Sequence, residues 1–179
     1  FKHLKCLELN SNGLKSLNSK ALRRLIHLNE IYLFDNKLKK LNGKTFLFNM
    51  NLKLILLSYN QLSRLHPNLF TNLVNLKYLY LNVNRIERID AKLLESCTNL
   101  VHLDFGSNQI EFIDSNAFMS LKNLKLLDLS SNKLCSLAPT LFGTLCKLRT
   151  LQISKNLLTN LTSQHFDGLK SLEDLDLSD

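Results

Sequence analysis

The sequence predicts an α/β solenoid arc, with a parallel β-sheet on its concave face and irregular turns or short helices on its convex face. Three observations carry this. Leucine recurs at Leu4, Leu28, Leu52, Leu76, Leu100, Leu124, Leu148 and Leu172, always 24 residues apart. Asparagine keeps the same register at Asn12, Asn36, Asn60, Asn84, Asn108, Asn132 and Asn156. Between the two columns lies a short apolar–polar alternation, as in Leu7-Glu8-Leu9. A fixed period of this length marks coils that cannot bury their own apolar side and must stack to do so. Repeats begin at 4, 28, 52, 76, 100, 124, 148 and 172, giving seven complete repeats and a partial eighth in one domain fragment over residues 1–179.

With Leu4 as position one, position four reads Leu7, Ile31, Ile55, Leu79, Leu103, Leu127, Leu151 and Leu175. Position six reads Leu9, Leu33, Leu57, Leu81, Phe105, Leu129, Ile153 and Leu177. Alternation over positions four to nine is the period of a strand, so each repeat gives one strand, with neighbours about 4.8 Å apart. The asparagine at position nine marks the exit from the strand. Its amide both donates and accepts, so the column should run as a hydrogen-bonded ladder between coils. Positions eleven and fourteen are always Leu or Ile. Position nineteen reads Leu22, Phe46, Phe70, Leu94, Phe118, Phe142 and Phe166, filling the wider convex side. Position 22 departs from leucine at Asn49 and Cys97, and the stretch from Phe46 to Met50 is expected to be locally rearranged.

The pattern L-x-x-L-x-L-x-x-N-x-L over the whole chain resembles the leucine-rich repeat family. The 24-residue length with Phe near position nineteen is similar to the extracellular animal subtype, which includes Toll, Toll-like receptor and Slit ectodomains. The resemblance implies a recognition solenoid outside the cell. Extracellular members usually carry cysteine-rich caps, and neither end here has one. The expectation is therefore an internal piece of a longer ectodomain, without its terminal caps and without a leader at Phe1-Lys2-His3-Leu4.

Apolar residues make up 45% of the chain and charged ones 21%, enough for a continuous core. No run approaches the eighteen apolar residues of a membrane span, so no membrane contact is expected. The net charge is +8, which suits nucleic acid, an acidic glycan, a membrane surface or solubility alone, depending on where the charge sits. Cys6, Cys97, Cys135 and Cys146 match no metal spacing. Cys97 replaces a core leucine and reads as a buried thiol, Cys6 falls on the concave face, and Cys135 and Cys146 share one repeat, leaving a disulfide open. His3, His27, His66, His102 and His165 fall at different repeat positions and do not converge. No catalytic set, metal site or cofactor site is expected. Asp104 and Asp128 should be strand neighbours at position five, read as an acidic binding stripe rather than a catalytic pair.

Positions two, three, five, seven and eight are expected to project from the concave face, free of the core. All four tyrosines, Tyr32, Tyr59, Tyr78 and Tyr80, fall in these columns, with Phe34 beside them. Tyrosine couples a large contact area to a polar tip and is enriched at interface hot spots. The expected partner-binding residues are Tyr32, Phe34, Tyr59, Tyr78, Tyr80, His102, Asp104 and Asp128. These columns carry six basic and nine acidic residues, so the basic excess lies on the loops and convex segments. That argues against nucleic acid in the concave groove and leaves a basic lateral edge for it. One glycosylation sequon, Asn160-Leu161-Thr162, lies on an outer turn.

The expected function is protein recognition by an extracellular receptor or secreted immune or guidance protein, not catalysis. The partner would be a protein ligand or co-receptor, with homo- or heterodimers in the full-length protein. The rival readings are an intracellular repeat scaffold, favoured by unpaired cysteines, and a receptor sensing glycan or nucleic acid on its basic edge.

Overall fold

The computed structural model describes Phe1 and residues 3–179. In chain order the strands are β1 Cys6–Glu8, β2 Glu30–Tyr32, β3 Leu54–Leu56, β4 Tyr78–Tyr80, β5 Arg88–Ile89, β6 His102–Asp104, β7 Phe112–Ile113, β8 Leu126–Asp128, β9 Thr150–Gln152 and β10 Asp174–Asp176. β1–β4, β6 and β8–β10 form one eight-stranded sheet in chain order, every pair parallel. Each residue pairs with the one 24 positions on, as Leu7 with Ile31 and Leu127 with Leu151. The predicted solenoid of stacked coils is therefore the observed fold.

The leucine columns form its core. From the second coil to the seventh, the residues at positions one, four and six are buried, among them Leu28, Ile31, Leu33, Leu103 and Phe105. Burial of each full aliphatic side chain stabilises the stack by about 2 kcal/mol. On the opposite side Phe46 stacks on Phe70 and Phe118 on Phe142, with centroids 6.3 and 6.4 Å apart. Convex segments are mostly turns, with one short helix, α1 (Ser19–Leu22), and 3-10 turns at Ala91–Leu94 and Ser163–Phe166.

The strands are shorter than expected: three residues, at positions three to five. Position eight explains why. Ser11, Asp35, Tyr59, Val83, Ser107, Ser131 and Lys155 all have φ of 53–54°, in the left-handed region. The backbone turns there instead of continuing to alternate. Position seven consequently does not project freely as expected: Ser58, Gly106 and Ser154 are buried and Phe34 is half-buried. A left-handed non-glycine residue costs about 1 kcal/mol. The geometry is held by amides reaching the next coil, as Tyr59 N–H to the Asn82 carbonyl (3.0 Å) and Val83 N–H to that of Gly106 (3.0 Å).

β5 and β7 pair in parallel at positions thirteen and fourteen, away from the main sheet. This second sheet was not among the expected elements.

The expected rearrangement around Asn49 does not occur. Its N–H donates to the Phe46 carbonyl at 2.9 Å, as the Cys97 N–H does to that of Leu94. The Asn49 amide instead fits the leucine site, donating to the carbonyls of Leu22 (3.0 Å) and Leu25 (2.9 Å). Its Oδ1 is buried without a partner. Both carbonyls also accept backbone bonds, from Leu25 and Leu28. Asn49→Leu thus strands no carbonyl and removes an unpaired oxygen, and is expected to raise stability by about 1 kcal/mol in urea unfolding.

Candidate functional site

Strand residues alternate, so positions three and five of each coil face outward while position four enters the core. The register brings Leu54 beside Tyr78, and Leu56 beside Tyr80. Tyr78 is 39% exposed and Tyr80 half-buried, its ring tilted against His102 at 4.9 Å. Tyr32 lies two coils earlier and donates its hydroxyl to Glu30 Oε2 at 2.9 Å. That hydrogen bond, ahead of burial, pushes the phenol up to about 12. Tyr59 stands at the left-handed turn, 50% exposed, with Phe34 edge-on at 5.0 Å. The tyrosines thus share one side of the solenoid, in two settings: Tyr32, Tyr78 and Tyr80 on the strands, Tyr59 with Phe34 on the turn.

Asp104 and Asp128 are register neighbours, and His102 pairs with Leu126 on the same two strands. Asp104 Oδ1 accepts from Gly106 N–H (2.8 Å) and Asp128 Oδ1 from Ser130 N–H (2.7 Å). A Cβ at Gly106 would lie 3.0 Å from Asp128 Oδ2 and 3.2 Å from Asp104 Oδ1, so the two carboxylates would have to give by a few tenths of an ångström to admit a side chain. Burial, with a contribution from Asp128, raises the Asp104 carboxyl to about 6 against the hydrogen bond from Gly106. Burial also lowers His102, with Asp128 pulling the other way. Among the described residues no Lys or Arg pairs with either carboxylate.

The raised Asp104 value has a consequence for stability. The folded state holds this proton more tightly than the unfolded chain, so the ionised form carries the penalty. That penalty is absent below about pH 4, grows as pH rises, and is complete above about pH 6. Asp104→Asn keeps the acceptor for Gly106. It is expected to raise stability at pH 7.5 by about 1 kcal/mol, after discounting for solvent access, and by almost nothing at pH 4 in urea titrations.

The asparagine column lies beneath the turn. Asn60 Nδ2 donates to the carbonyls of Leu33 (2.9 Å), Leu57 (3.1 Å) and Ser58 (3.3 Å), and its Oδ1 accepts from Leu38 N–H (3.0 Å). Asn36, Asn84, Asn108, Asn132 and Asn156 repeat this pattern. Asn12 does not: it is exposed and its side-chain amide donates only to the Asn10 carbonyl. A second asparagine column, not among the expected features, occupies position 24 in four consecutive coils. Asn51, Asn75, Asn99 and Asn123 each donate to a carbonyl of the previous coil, at 2.9–3.1 Å.

Away from the sheet, Lys40, Arg64 and Arg88 occupy position thirteen of successive coils. With His66 and Asp90 they line an open cleft of about 540 Å³. Arg88 is held by Asp90 at 2.6 Å, and Arg64 lies 3.7 Å from Glu87. Asn160, at position thirteen of the seventh coil, is exposed. All four cysteines are free thiols, so Cys135 and Cys146 are not joined. Cys97 is buried, its thiol pushed up to about 12, and Cys6 is exposed beside Glu8. Among the described residues no group of His, Cys, Asp and Glu could hold a metal ion, and no helix is long and apolar enough to cross a membrane.

A stack of repeats with a solvent-facing parallel sheet defines the class: a repeat solenoid. The chain belongs to the leucine-rich repeat family, whose model matches residues 26–86, 74–134 and 122–179. Among solved structures it resembles TLR13 in the TLR13–ssRNA13 complex, with 30% identity over 97% of this chain and a TM-score of 0.89. A Leptospira interrogans leucine-rich-repeat protein is 33% identical over 99% of the chain, with a TM-score of 0.88. Toll in the Drosophila Toll–Spatzle complex is 30% identical over 85%, with a TM-score of 0.78. The chain spans 24%, 43% and 22% of these three proteins. No curated protein sequence matches it. The chain is thus a leucine-rich repeat protein resembling Toll-like receptor ectodomains.

Proposed function

We propose that the chain is a protein-recognition module of an extracellular receptor, or of a secreted immune or guidance protein, that binds its partner on the concave sheet. The observation that carries this is the gathering of every tyrosine onto that side, beside Leu54 and Leu56, where the core places no demand on residue type. Exposed aromatic clusters on a soluble face mark interaction sites. The resemblance to Toll, solved with Spatzle, supports a protein partner and an extracellular setting. Glycosylation at Asn160, which is exposed, belongs to the same reading.

The test replaces Tyr32, Tyr78 and Tyr80 by alanine in the full-length protein and measures partner binding by surface plasmon resonance. Three truncated anchors should weaken binding at least about thirtyfold with the cooperative unfolding transition retained. Unchanged affinity in a folded variant would remove the concave anchor.

A second reading rests on the basic cleft at Lys40, Arg64 and Arg88: nucleic acid or an acidic glycan held on the lateral edge. The resemblance to TLR13, solved with ssRNA13, favours nucleic acid among these. Such binding should fall steeply with salt, by about tenfold or more between 50 and 200 mM, and flat salt dependence would count against it.

A further inference from the structure

The eight strands of the main sheet present sixteen outward side chains, at positions three and five of each coil. Six are carboxylates, Glu8, Glu30, Asp104, Asp128, Asp174 and Asp176, and none is Lys or Arg. All 23 basic residues of a chain with net charge +8 lie elsewhere. Five of them, Lys5, Lys53, Lys77, Lys125 and Arg149, stand at position two, along the margin where the strands begin. The sheet face thus has a sign opposite to that of the molecule. It is also graded along its length. Leu54, Leu56, Tyr78 and Tyr80 form an apolar block on β3 and β4, and Asp104 and Asp128 form an acidic block on β6 and β8. Tyr80 and His102 join the two blocks.

Within the concave-face reading, which this inference refines, we propose that the occupant is a protein segment pairing an apolar side chain with a cationic one. The apolar side chain lies over Leu54, Leu56, Tyr78 and Tyr80, and a Lys or Arg of the partner lies between Asp104 and Asp128. Charge complementarity selects this occupant. Each of these carboxylates gives Oδ1 to a backbone N–H two residues on, and neither Oδ2 accepts a hydrogen bond from the described residues. Gly106 leaves the space in which both carboxylates approach one backbone segment. The chain's own cations do not close this pair, and His102, which burial holds toward its neutral form, does not supply one. Two half-buried like charges without a counter-ion attract an ammonium or guanidinium more strongly than an exposed pair does. The rings of Tyr80 and His102 stand beside that seat, where an aromatic face also favours a cation. An anionic occupant would meet Asp104 and Asp128 on a sheet whose outward strand positions hold no Lys or Arg. The two blocks are centred two strand spacings apart, so the partner's apolar and cationic groups should be about 10 Å apart along the solenoid axis.

The test uses the full chain and four synthetic peptides of twelve residues. Each has a Leu-Phe pair followed, about three residues on, by two Arg, two Lys, two Gln or two Glu, so that the groups span about 10 Å in an extended chain. Fluorescence anisotropy gives affinities for the wild type, for Asp104→Asn/Asp128→Asn and for Tyr78→Ala/Tyr80→Ala. Both asparagines keep the acceptor for the backbone N–H, so the first variant is expected to fold, and circular dichroism checks it. The Arg and Lys peptides should bind at least about tenfold tighter than the Glu peptide. The double asparagine variant should bring the Arg peptide to within about twofold of the Gln peptide. Three outcomes overturn the proposal: a Glu peptide that binds as well as the Arg peptide, a preference for Arg that survives in Asp104→Asn/Asp128→Asn, or no binding of any peptide. The tyrosine variant reads the underlying concave reading separately. It should weaken all four peptides alike. Insensitivity to it, with the Arg preference still lost in the asparagine variant, would keep the cation seat and remove the tyrosine anchor.

Discussion

Asn108→Ala is expected to lower the stability of the chain by about 3 kcal/mol, and Asn12→Ala by almost nothing, though both residues occupy the same repeat column. The difference comes from what surrounds each amide. Asn108 is 8% exposed, and its Nδ2 donates to the carbonyls of Leu81 (3.0 Å), Phe105 (2.9 Å) and Gly106 (3.2 Å). Its Oδ1 accepts from Ile86 N–H at 2.9 Å. Truncation leaves the carbonyls of Leu81 and Phe105 partly satisfied, because Asn84 and Asn132 also donate to them. It leaves the Ile86 N–H buried with nothing to accept it, and that group carries most of the cost. Asn108→Asp keeps an acceptor for Ile86 but sets a carboxylate against carbonyl oxygens, so it should be at least as damaging. Chemical unfolding of the three variants beside the wild type checks the order. Equal losses for Asn12 and Asn108 would mean that the ladder is not what holds these turns.

Phe118→Ala should cost about 4 kcal/mol, whereas Phe112→Ala should cost under about 1. Phe118 is fully buried and stacked against Phe142 with the rings 6° from parallel. Its loss opens a void that flanking coils cannot fill, because each coil is held in register by its neighbours on the sheet. Phe112 is 50% exposed and covers the Arg88 guanidinium, 5.1 Å from its ring centroid. Thermal unfolding distinguishes the two. Since coils couple mainly to their neighbours, Phe118→Ala should also speed hydrogen exchange first around β4, β6 and β8 rather than across the whole sheet.

The fold was legible because its determinants repeat. One leucine in isolation says little; the same leucine at eight positions 24 apart fixes strand count, pairing and register together. The turn was not legible. Position eight carries Ser, Asp, Tyr, Val and Lys, none of them the glycine that usually announces positive φ, so Phe34 and Ser58 seemed to continue the strand alternation. The left-handed geometry is imposed by hydrogen bonds to the next coil, which no local preference reveals. Asn49 illustrates the same limit. Its amide replaces leucine without disturbing the path because two carbonyls of the preceding coil lie within reach, a fact of stacking rather than of sequence. At the candidate site, the grouping of tyrosines and the adjacency of Asp104 and Asp128 could be read from the period. The absence of Lys and Arg from the sheet centre shows only when columns three and five are taken apart from position two and the turn, which hold the basic residues.

Tyr32, Tyr59, Tyr78 and Tyr80 are the only tyrosines among these 179 residues and share the concave side, so their nitration, read residue by residue, reports on that surface. The most direct measurement is the nitration rate of each tyrosine in the full-length protein, free and in complex with its partner, resolved by peptide mass spectrometry. If the concave sheet is the recognition surface, Tyr78, exposed in the free chain, and Tyr59 should be protected by the partner at least about tenfold. Unchanged tyrosine reactivity in a saturated complex, with Lys40 and Arg64 shielded from their own reagents instead, would contradict it.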